Sequence, residues 1–416
     1  MLPDSPPNAT GVTANLALER RIIFLVGAIQ FVNVLDFMMV MPLGPDFAKA
    51  LGIATSHIGV VGGSYTAAAA VAGVVGSTFL DRFDRRLALG FSMLGLVVGT
   101  ALGGFATGLP SLLAARVLAG AFGGPATSLS LAVVADAVPP ERRGKALGAV
   151  MGAFSVASVL GVPAGLEAAR RFGWRVPFFA VAGIGLVLTF LAVRLLPSFK
   201  GHLSRVRQPG PRVSLWDSTT LLSLGNSALV MLGVFAVVPN ISAFLQHNLG
   251  FPREQMGMFY LVGGAASFVA MRLVGAFVDR FGALPMVILG TAFQAFALYF
   301  GFIRPGLGMP ILLVFTVYML SGSVRMVPIQ ALASRVPRPE QRASFMSAQS
   351  ATQHLFSALG AILASAVLVA APNGSLIGME GVAVAALCVA CVVPLVAALL
   401  ERKLNRRQVA TARPSV

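Results

Sequence analysis

Charged side chains are scarce in this sequence, and acidic ones are the scarcest. Only 11% of its 416 residues are charged, with 15 Asp and Glu against 31 Lys and Arg. A soluble protein of average composition carries about a quarter charged residues. The mean hydropathy is +0.84. The composition therefore excludes an ordinary water-soluble globular protein.

Cysteine is nearly absent as well. The two that are present, Cys388 and Cys391, form a C-x-x-C inside an apolar segment. A redox or metal role would need a thioredoxin-like context or a second cysteine pair, and the sequence has neither. We therefore interpret both as small packing residues and expect neither a metal nor a cofactor.

Long uncharged apolar blocks fill most of the chain. A helix of about 20 apolar residues crosses a bilayer, and the 45 glycines favour close packing of helices in lipid. The sequence predicts an all-α integral membrane protein. Its twelve transmembrane helices are expected at residues 21–43, 57–79, 87–107, 111–134, 145–166, 175–196, 218–243, 255–277, 284–303, 309–333, 344–371 and 376–400.

The net charge of +16 follows the predicted topology. If the first span runs outward from the cytosol, 23 Lys and Arg fall in cytoplasmic segments, six in external loops and two inside spans. This asymmetry matches the positive-inside rule, so both termini are expected in the cytoplasm. The surplus positive charge is then available to anionic membrane lipid, and no nucleic-acid partner is expected.

A polar stretch divides the spans into two sets of six. Residues 197–217 are rich in Pro, Gly and Arg, which is typical of a flexible linker. A shift of 198 residues aligns "DRF" at 81–83 with "DRF" at 279–281. The halves are therefore predicted to be pseudo-symmetric copies. The expected organisation is a cytoplasmic tail at 1–20, six-helix bundles at 21–196 and 218–400, a cytoplasmic linker at 197–217, and a tail at 401–416.

This organisation resembles the major facilitator superfamily, in which two parallel six-span repeats are joined by a linker. Between spans 2 and 3 the family carries the motif G-x-L-a-D-R-x-G-R-[KR]. Ser77 and Asp84 stand where the family has glycines. The resemblance implies that the charged residues of this loop and of its second copy gate the carrier by latching the halves at the cytoplasmic face. These residues are Asp81, Arg82, Arg85, Arg86, Asp279 and Arg280.

Two spans resemble further family motifs. In span 4, Arg116 and Gly120 match l-x-x-x-R-x-x-Q-G, with Ala119 in place of the glutamine. Span 5 resembles the antiporter motif in its shorter form G-x-P-x-G, at Gly161, Pro163 and Gly165. A proline removes a helix hydrogen bond, so a gating bend is expected there. In the family this element is common among exporters, and the resemblance is closest to drug:proton antiporters and sugar-efflux permeases.

Ionisable side chains inside spans cost free energy unless they are paired with an opposite charge or exposed to water. Asp36 lies 15 residues past Arg21, at a depth of about 22 Å, and Arg116 lies at a depth of about 21 Å. We expect the two to share a field in which desolvation favours the neutral acid and the arginine favours the carboxylate. This competition suits a pair that couples transport to protons. A fixed structural ion pair is the alternative interpretation.

Other polar residues inside the spans predict the substrate cavity. Arg325, near mid-membrane in span 10, is expected to meet either a substrate anion or carbonyls freed by Pro328. His354 has two interpretations, a proton shuttle or a donor that packs helices. The predicted cavity lining comprises Gln30, Asn33, Asn226, Gln294, Arg325, Gln330, Gln349, Gln353 and His354.

These features predict a secondary active transporter. We expect it to export a small organic molecule, such as a drug, sugar or metabolite, in exchange for protons by alternating access. The sequence contains no G-x-x-x-x-G-K-[ST], so no ATP-driven pump is expected. A proton symporter or a facilitator that imports a small solute is the alternative; a receptor or a membrane-embedded enzyme fits less well. The expected protein is a monomer without enzymatic activity, located in a bacterial inner membrane.

Overall fold

The structure is a computed structural model that describes residues 9–199, 217–305, 307–338 and 341–412. Side chains are described over the same ranges apart from 9–15, 77–79, 81, 140–141, 144, 342–344 and 408–412. Within this part of the chain, twelve helices are long and apolar enough to cross a membrane. The predicted number of spans is therefore confirmed.

Most spans consist of one long helix. A short helix, Gly44–Leu51, lies between spans 1 and 2. The uninterrupted helices are Ala9–Val40 (span 1), Ile58–Phe79 (span 2), Arg85–Gly104 (span 3), Leu109–Ala137 (span 4), Arg175–Leu195 (span 6), Met256–Phe281 (span 8), Ile311–Ser334 (span 10), Arg342–Val367 (span 11) and Met379–Ala412 (span 12). Span 12 therefore continues beyond residue 400, where the sequence predicts its end.

Spans 5, 7 and 9 each contain a π turn, which is wider than an α-helical turn by one residue. In span 5 the backbone N–H of Val162 donates to Ala157, five residues earlier, and Pro163 follows with no N–H to donate. The helix is thus irregular where G-x-P-x-G predicts a bend. Span 5 comprises Pro140–Met151, Ala153–Val156, the π turn Ala157–Gly161 and Val162–Phe172; span 7 comprises Ser218–Val237, Val238–Asn240, Ile241–Ala243 and the π turn Phe244–Asn248; span 9 comprises Ala283–Leu298 and the π turn Tyr299–Ile303.

Spans 11 and 12 are connected by a β hairpin, where the sequence predicts helix up to 371 and again from 376. Strand β1 (Val369–Ala370) pairs antiparallel with β2 (Leu376–Ile377). Gly374 lies in the turn with φ +84°, a conformation that glycine adopts without strain. The helix prediction is wrong at these residues because Pro-Asn-Gly at 372–374 favours a turn.

Glycines let span 4 approach spans 2 and 3 closely. A Cβ on Gly120 would overlap the backbone of Tyr65 in span 2. A Cβ on Gly99 would lie 2.5 Å from the backbone nitrogen of Ala119. The alanine that replaces the glutamine of the family motif therefore lies in a tight contact between spans 3 and 4. This packing positions the buried polar side chains of the first four spans.

The helical bundle has two faces and two halves. The linker face is the end at which the described chain stops at Phe199 and resumes at Asp217. The far face is the opposite end, which carries the short helix Gly44–Leu51 and the β hairpin. Spans 1–6 form the first half and spans 7–12 the second. Span 2 packs on span 11 and span 5 on span 8, so the halves meet along two seams.

Candidate functional site

A buried ion pair joins spans 1 and 4. Nη1 of Arg116 lies 3.0 Å from both carboxylate oxygens of Asp36. The side chains are 1% and 0% exposed. The similar depths of the two residues in the sequence predicted that they lie close together, and the structure brings them into contact. Such a pair is retained in a low-dielectric interior only when good geometry and further hydrogen bonds offset its desolvation.

Thr100 and Tyr65 complete the surroundings of this pair. The Thr100 hydroxyl, on span 3, lies 2.8 Å from Oδ1 of Asp36 and 2.8 Å from the carbonyl oxygen of Leu96. Because it has one proton, it donates to one of them at a time. The guanidinium of Arg116 stacks on the ring of Tyr65, 4.6 Å from the ring centroid. Charge on the carboxylate is therefore balanced by one cation and one neutral donor.

Asn33 extends the network from the ion pair. The Tyr65 hydroxyl donates to Oδ1 of Asn33 over 2.9 Å. Nδ2 of Asn33 donates to the carbonyl oxygen of Gly123 over 2.8 Å and to the hydroxyl of Thr127 over 2.9 Å. Spans 1, 2 and 4 are thus connected beside the ion pair by hydrogen bonds, and a movement of Tyr65 would break the one that joins span 2 to Asn33.

Asn33, Asp36 and Arg116 are predicted from the sequence as site residues, whereas Tyr65 and Thr100 are not. Thr100 lies 15 residues into span 3, about 22 Å along the helix axis and hence at the depth of Asp36. Its depth could have identified it. Tyr65 carries no comparable signal, because its contacts depend on how span 2 is rotated against span 4.

A second polar network lies in the second half and joins spans 7, 10 and 11. Nε2 of Gln349 donates to Oε1 of Gln330 over 2.9 Å and to the hydroxyl of Ser227 over 3.4 Å. Gln353 and His354, one turn further along span 11, are half-buried. The structure therefore brings Gln330 and Gln349 together and adds Ser227, which the sequence analysis did not select.

Four other predicted cavity residues are buried inside the halves. Gln30 in span 1 is 5% exposed, and Asn226, Gln294 and Arg325 in the second half are 0%, 1% and 1% exposed. Each has at least one side-chain nitrogen or oxygen with no hydrogen-bond partner among the described residues. These side chains are therefore buried with hydrogen-bonding capacity unused.

The loop between spans 2 and 3 contacts the first half in this structure. Nε of Arg85 lies 3.0 Å from a carboxylate oxygen of Asp136, at the end of span 4. Nη1 of Arg86 donates to the carbonyl oxygen of Leu196, at the end of span 6, over 3.4 Å. The two arginines therefore bind helix ends on the linker face.

Asp84, which replaces a glycine of the family motif, stabilises the same loop. It accepts hydrogen bonds from the Ser198 hydroxyl at 2.6 Å and from the backbone N–H groups of Arg86 at 3.0 Å and Phe199 at 3.1 Å. Burial raises the pKa of Asp84, but these hydrogen bonds outweigh burial and hold the pKa below its ordinary value. The ionised carboxylate therefore caps span 3 and holds the chain after span 6 against it.

The other predicted gating charges lie at the linker face. Arg82, Asp279 and Arg280 are exposed, and the guanidinium of Arg280 lies 5.2 Å from the ring centroid of Phe281. The side chain of Asp81 lies outside the described residues, although its backbone belongs to a short 3-10 helix.

Contacts between the halves close the far face. Nε and Nη2 of Arg253, before span 8, lie 2.9 Å and 2.6 Å from the two carboxylate oxygens of Asp46, in the short helix after span 1. The Ser242 hydroxyl of span 7 donates to the carbonyl oxygen of Pro42 over 2.8 Å. This gate is absent from the residues predicted from the sequence, although the opposite charges of Asp46 and Arg253 lie in corresponding loops of the two halves.

The seam between spans 5 and 8 depends on glycines of span 8. A Cβ on Gly264 would lie 3.1 Å from the carbonyl oxygen of Ser158 in span 5. A Cβ on Gly257 would lie 3.8 Å from the carbonyl oxygen of Pro163. The backbone of span 5 is therefore approached closely from the second half through positions that have no side chain.

The glycines of the G-x-P-x-G segment lie on another side of span 5. A Cβ on Gly161 would lie 2.7 Å from Cδ1 of Leu35, and one on Gly165 would lie 4.0 Å from Met39. Both neighbours belong to span 1. These two glycines therefore allow packing inside the first half and not at the seam with span 8.

The sequence matches one known protein family over nearly its whole length. The model of the Major Facilitator Superfamily matches residues 26–221 and 223–415. The chain belongs to this superfamily and is a multi-pass integral membrane transporter. Members of this family are transporters rather than enzymes.

Curated relatives include a resistance protein and an efflux pump. A chloramphenicol resistance protein of Streptomyces lividans is 27% identical over 255 residues, 61% of this chain and 65% of the relative. The purine ribonucleoside efflux pump NepI of Escherichia coli is 28% identical over 274 residues, 65% of this chain and 66% of the relative. The chain thus spans about two thirds of the length of the curated relatives it matches.

Solved structures show the same fold. A bacterial homologue of the human lysosomal transporter Spinster, in an inward-facing and occupied conformation, superposes with a TM-score of 0.72 at 16% identity over 92% of this chain and 97% of that chain. The inward-open xylose transporter XylE of E. coli superposes with a TM-score of 0.69 at 16% identity over 92% and 96%. The predicted major facilitator fold is therefore confirmed.

Proposed function

We propose that this transporter exports a small organic molecule in exchange for protons by alternating access. The single observation that carries the proposal is the buried Asp36–Arg116 pair. The cation and the Thr100 hydroxyl together stabilise the charge of a carboxylate at this depth. A rearrangement that separates it from Arg116 favours uptake of a proton, and re-pairing favours release.

Tyr65 and Asn33 link that protonation to helix movement. A neutral Asp36 no longer attracts Arg116, so the guanidinium is free to shift across the Tyr65 ring on which it stacks. Tyr65 is hydrogen-bonded to Asn33, which in turn binds span 4. In this proposal a change of charge at one carboxyl alters packing between spans 1, 2 and 4, which line the transport path.

The proposed orientation places the linker face and both termini in the cytoplasm, in the inner membrane of a bacterium. The excess of Lys and Arg in segments at that face supports it, as do the bacterial relatives. Because Asp46 and Arg253 pair across the far face, we propose that the present conformation is the inward-facing state. We further propose that the transporter functions as a monomer of two six-helix bundles.

The loop between spans 2 and 3 is proposed as the second gate. In the inward-facing state Arg85 pairs with Asp136 inside the first half. When the far face opens, Asp81 and the arginines of this loop are proposed to bind helix ends of the second half. Exposed ion pairs suit such a latch, because they contribute little free energy and exchange partners readily.

Two observations favour export over import. Two curated relatives carry resistance or efflux in their names, and the G-x-P-x-G of span 5 resembles a motif common among exporters. The alternatives are proton symport and facilitated import, and the experiment below distinguishes them from proton-driven export.

The deciding experiment uses purified protein in vesicles selected for an outward-facing linker face. Radiolabelled chloramphenicol, adenosine and benzoate are the probes, the first two chosen from the names of the relatives and the third as a simple organic anion. Antiport predicts uptake of at least one probe into vesicles that are acidic inside, lost with an uncoupler and in Asp36→Asn. Asp217→Asn, which changes a carboxylate at the linker face, is the matched control and should transport normally.

Three results would contradict the proposal. Uptake driven by vesicles that are alkaline inside would make the protein a symporter. Equal uptake with and without a gradient would make it a facilitator. Transport by Asp36→Asn at the wild-type rate in either gradient would remove Asp36 from the coupling mechanism.

A further inference from the structure

Arg325 carries a buried positive charge for which the second half supplies no carboxylate in the membrane interior. The side chain is 1% exposed and lies nine residues before the end of span 10. In the sequence, all acidic residues after Ser218 fall outside the predicted spans or near their ends, at Glu254, Asp279, Glu340, Glu380 and Glu401. The first half differs, because its buried arginine has Asp36 as a partner.

The guanidinium of Arg325 is also without hydrogen bonds from Nε and Nη1 among the described residues. Pro328 frees a carbonyl group one turn away, but neither nitrogen donates to it. A buried charge without a counter-ion or hydrogen bonds is unstable. Nε and Nη1 of Arg325 are therefore available to an acceptor that the described residues do not provide.

Span 9 supplies polar groups beside Arg325. A Cβ on Gly290 would lie 2.6 Å from Cγ of Arg325, so the arginine stem crosses span 9 at this glycine. Thr291 and Gln294 follow within about one helical turn. The Thr291 hydroxyl and both amide atoms of Gln294 are buried and have no hydrogen-bond partner among the described residues.

Span 7 supplies a second amide at the same level. The Tyr318 hydroxyl of span 10 donates to the carbonyl oxygen of Val234 in span 7 over 3.5 Å. From that contact towards the linker face, Arg325 is seven residues along span 10 and Asn226 is eight along span 7. Seven residues are about two helical turns, so Arg325 lies on the contacting face of span 10. Asn226 lies one turn before Val230, which belongs to the same buried apolar cluster as Ile329 of span 10. Both amide atoms of Asn226 are buried and have no hydrogen-bond partner in the described part of the chain.

The three side chains share one depth. Measured along their helices from the linker-face ends, Asn226 lies at about 12 Å, Arg325 at about 14 Å and Gln294 at about 17 Å. One guanidinium and two amides from three helices thus lie within a layer a few ångströms thick. Both kinds of group offer N–H donors, which suits an anion.

We propose that Arg325, with the side-chain amides of Asn226 and Gln294, binds the anionic group of the transported substrate, a carboxylate or phosphate. This inference rests on the proposed transport function and names its substrate class, an organic anion. The guanidinium neutralises the charge of the anion, and the amides donate hydrogen bonds that favour a planar or tetrahedral oxyanion over an uncharged group. An inorganic anion accepts the same hydrogen bonds and neutralises the same charge. The test therefore compares an organic anion with phosphate and chloride.

Binding is measured as the thermal midpoint of the purified full-length protein in detergent. The probes are sodium benzoate, its neutral isostere benzamide, sodium phosphate and sodium chloride at equal ionic strength. We expect benzoate to raise the midpoint by about 2 °C or more above benzamide. Arg325→Met should abolish that difference, and without ligand should be no less stable than wild type, because it removes an unpaired buried charge.

Arg272→Met is the matched control, because Arg272 belongs to the same half and stacks on Phe268 at 5.0 Å. It should keep the full benzoate effect. Asn226→Leu removes an amide without changing charge and should weaken the effect; it also serves as the test if Arg325→Met does not fold.

Three outcomes overturn the inference. The first is a benzoate effect equal to that of benzamide in wild type. The second is an effect unchanged in Arg325→Met and Asn226→Leu. The third is an equal effect of chloride or phosphate to which benzoate adds nothing, which makes the site a binding place for an inorganic counter-ion. Because no gradient is applied, failure here leaves proton antiport standing, and failure of antiport leaves this result standing.

Discussion

The guanidinium of Arg116 lies 4.6 Å from the ring centroid of Tyr65, whose hydroxyl donates to Asn33. A tyrosine ring offers a cation an attractive face without a compensating charge. Arg116 is therefore stabilised from two sides, by a carboxylate that can be neutralised and by an aromatic ring that cannot. That asymmetry makes the charge of Asp36 the adjustable part of the network.

Asp36→Asn should separate the role of the charge from the role of the pair in stability. The amide still accepts from Thr100 but leaves Arg116 unpaired in the interior. Removing one partner of a buried pair costs about 3–5 kcal/mol, so the thermal midpoint in detergent should fall. Proton-driven uptake in vesicles should fall to the level of empty vesicles.

The double variant Asp36→Asn, Arg116→Met is the accompanying test. It removes both charges, so stability should recover towards wild type while transport stays absent. Recovery of transport together with stability would identify the pair as purely structural.

Tyr65→Phe should reveal the contribution of the hydrogen bond to Asn33. The ring remains under Arg116, but Oδ1 of Asn33 loses its donor in a buried position, at a cost of about 1–3 kcal/mol. The thermal midpoint should fall, and Tyr65→Leu should lower it further by also removing the ring. Tyr299→Phe, at a 42% exposed tyrosine, should leave it unchanged. Equal midpoints for Tyr65→Phe and wild type would contradict the network.

Asp46→Asn should open the far face. It removes the charge from a two-pronged pair with Arg253 that joins the halves. Spin labels on Lys49→Cys and Glu254→Cys, both exposed positions on either side of this gate, with Cys388 and Cys391 replaced by alanine, report the separation. The distance distribution should gain a longer component.

Glu167→Gln is the control for the far face. It removes exposed ion pairs with Arg170 and Arg171 inside one helix, so the label distances should not change. Identical distributions for Asp46→Asn and wild type would show that the Asp46–Arg253 pair does not hold the gate.

Asp84→Asn should have an effect that depends on pH. The folded-state pKa of Asp84 lies below its ordinary value, so its stabilisation is fully present above the unfolded pKa of about 3.9 and is lost as pH falls through the folded pKa. The variant should melt lower than wild type at neutral pH, and the difference should shrink below about pH 4. Asp279→Asn, at an exposed site, should show no such pattern. A difference that is constant with pH would contradict the assignment.

By itself the sequence determined the number of spans, the repeat and the depth of the buried charges. Those properties depend on residues close in sequence or on the fixed rise of a helix, so Asp36 and Arg116 could be predicted to lie at one level. The distribution of Lys and Arg and the DRF repeat are also read directly from the sequence. They suffice to predict two copies of a six-span unit and the orientation of the protein in the membrane.

Only the tertiary structure decided which faces of the helices meet. It turned Gly161 towards Leu35 of span 1 instead of span 8, placed Tyr65 beneath Arg116, and joined Asp46 to Arg253 across 207 positions of sequence. A transmembrane helix in apolar surroundings carries little amphipathic signal to fix its rotation, because lipid and protein interior are similarly apolar. The rotation of each span is set by close packing with its neighbours, and that packing exists only once all the spans are assembled.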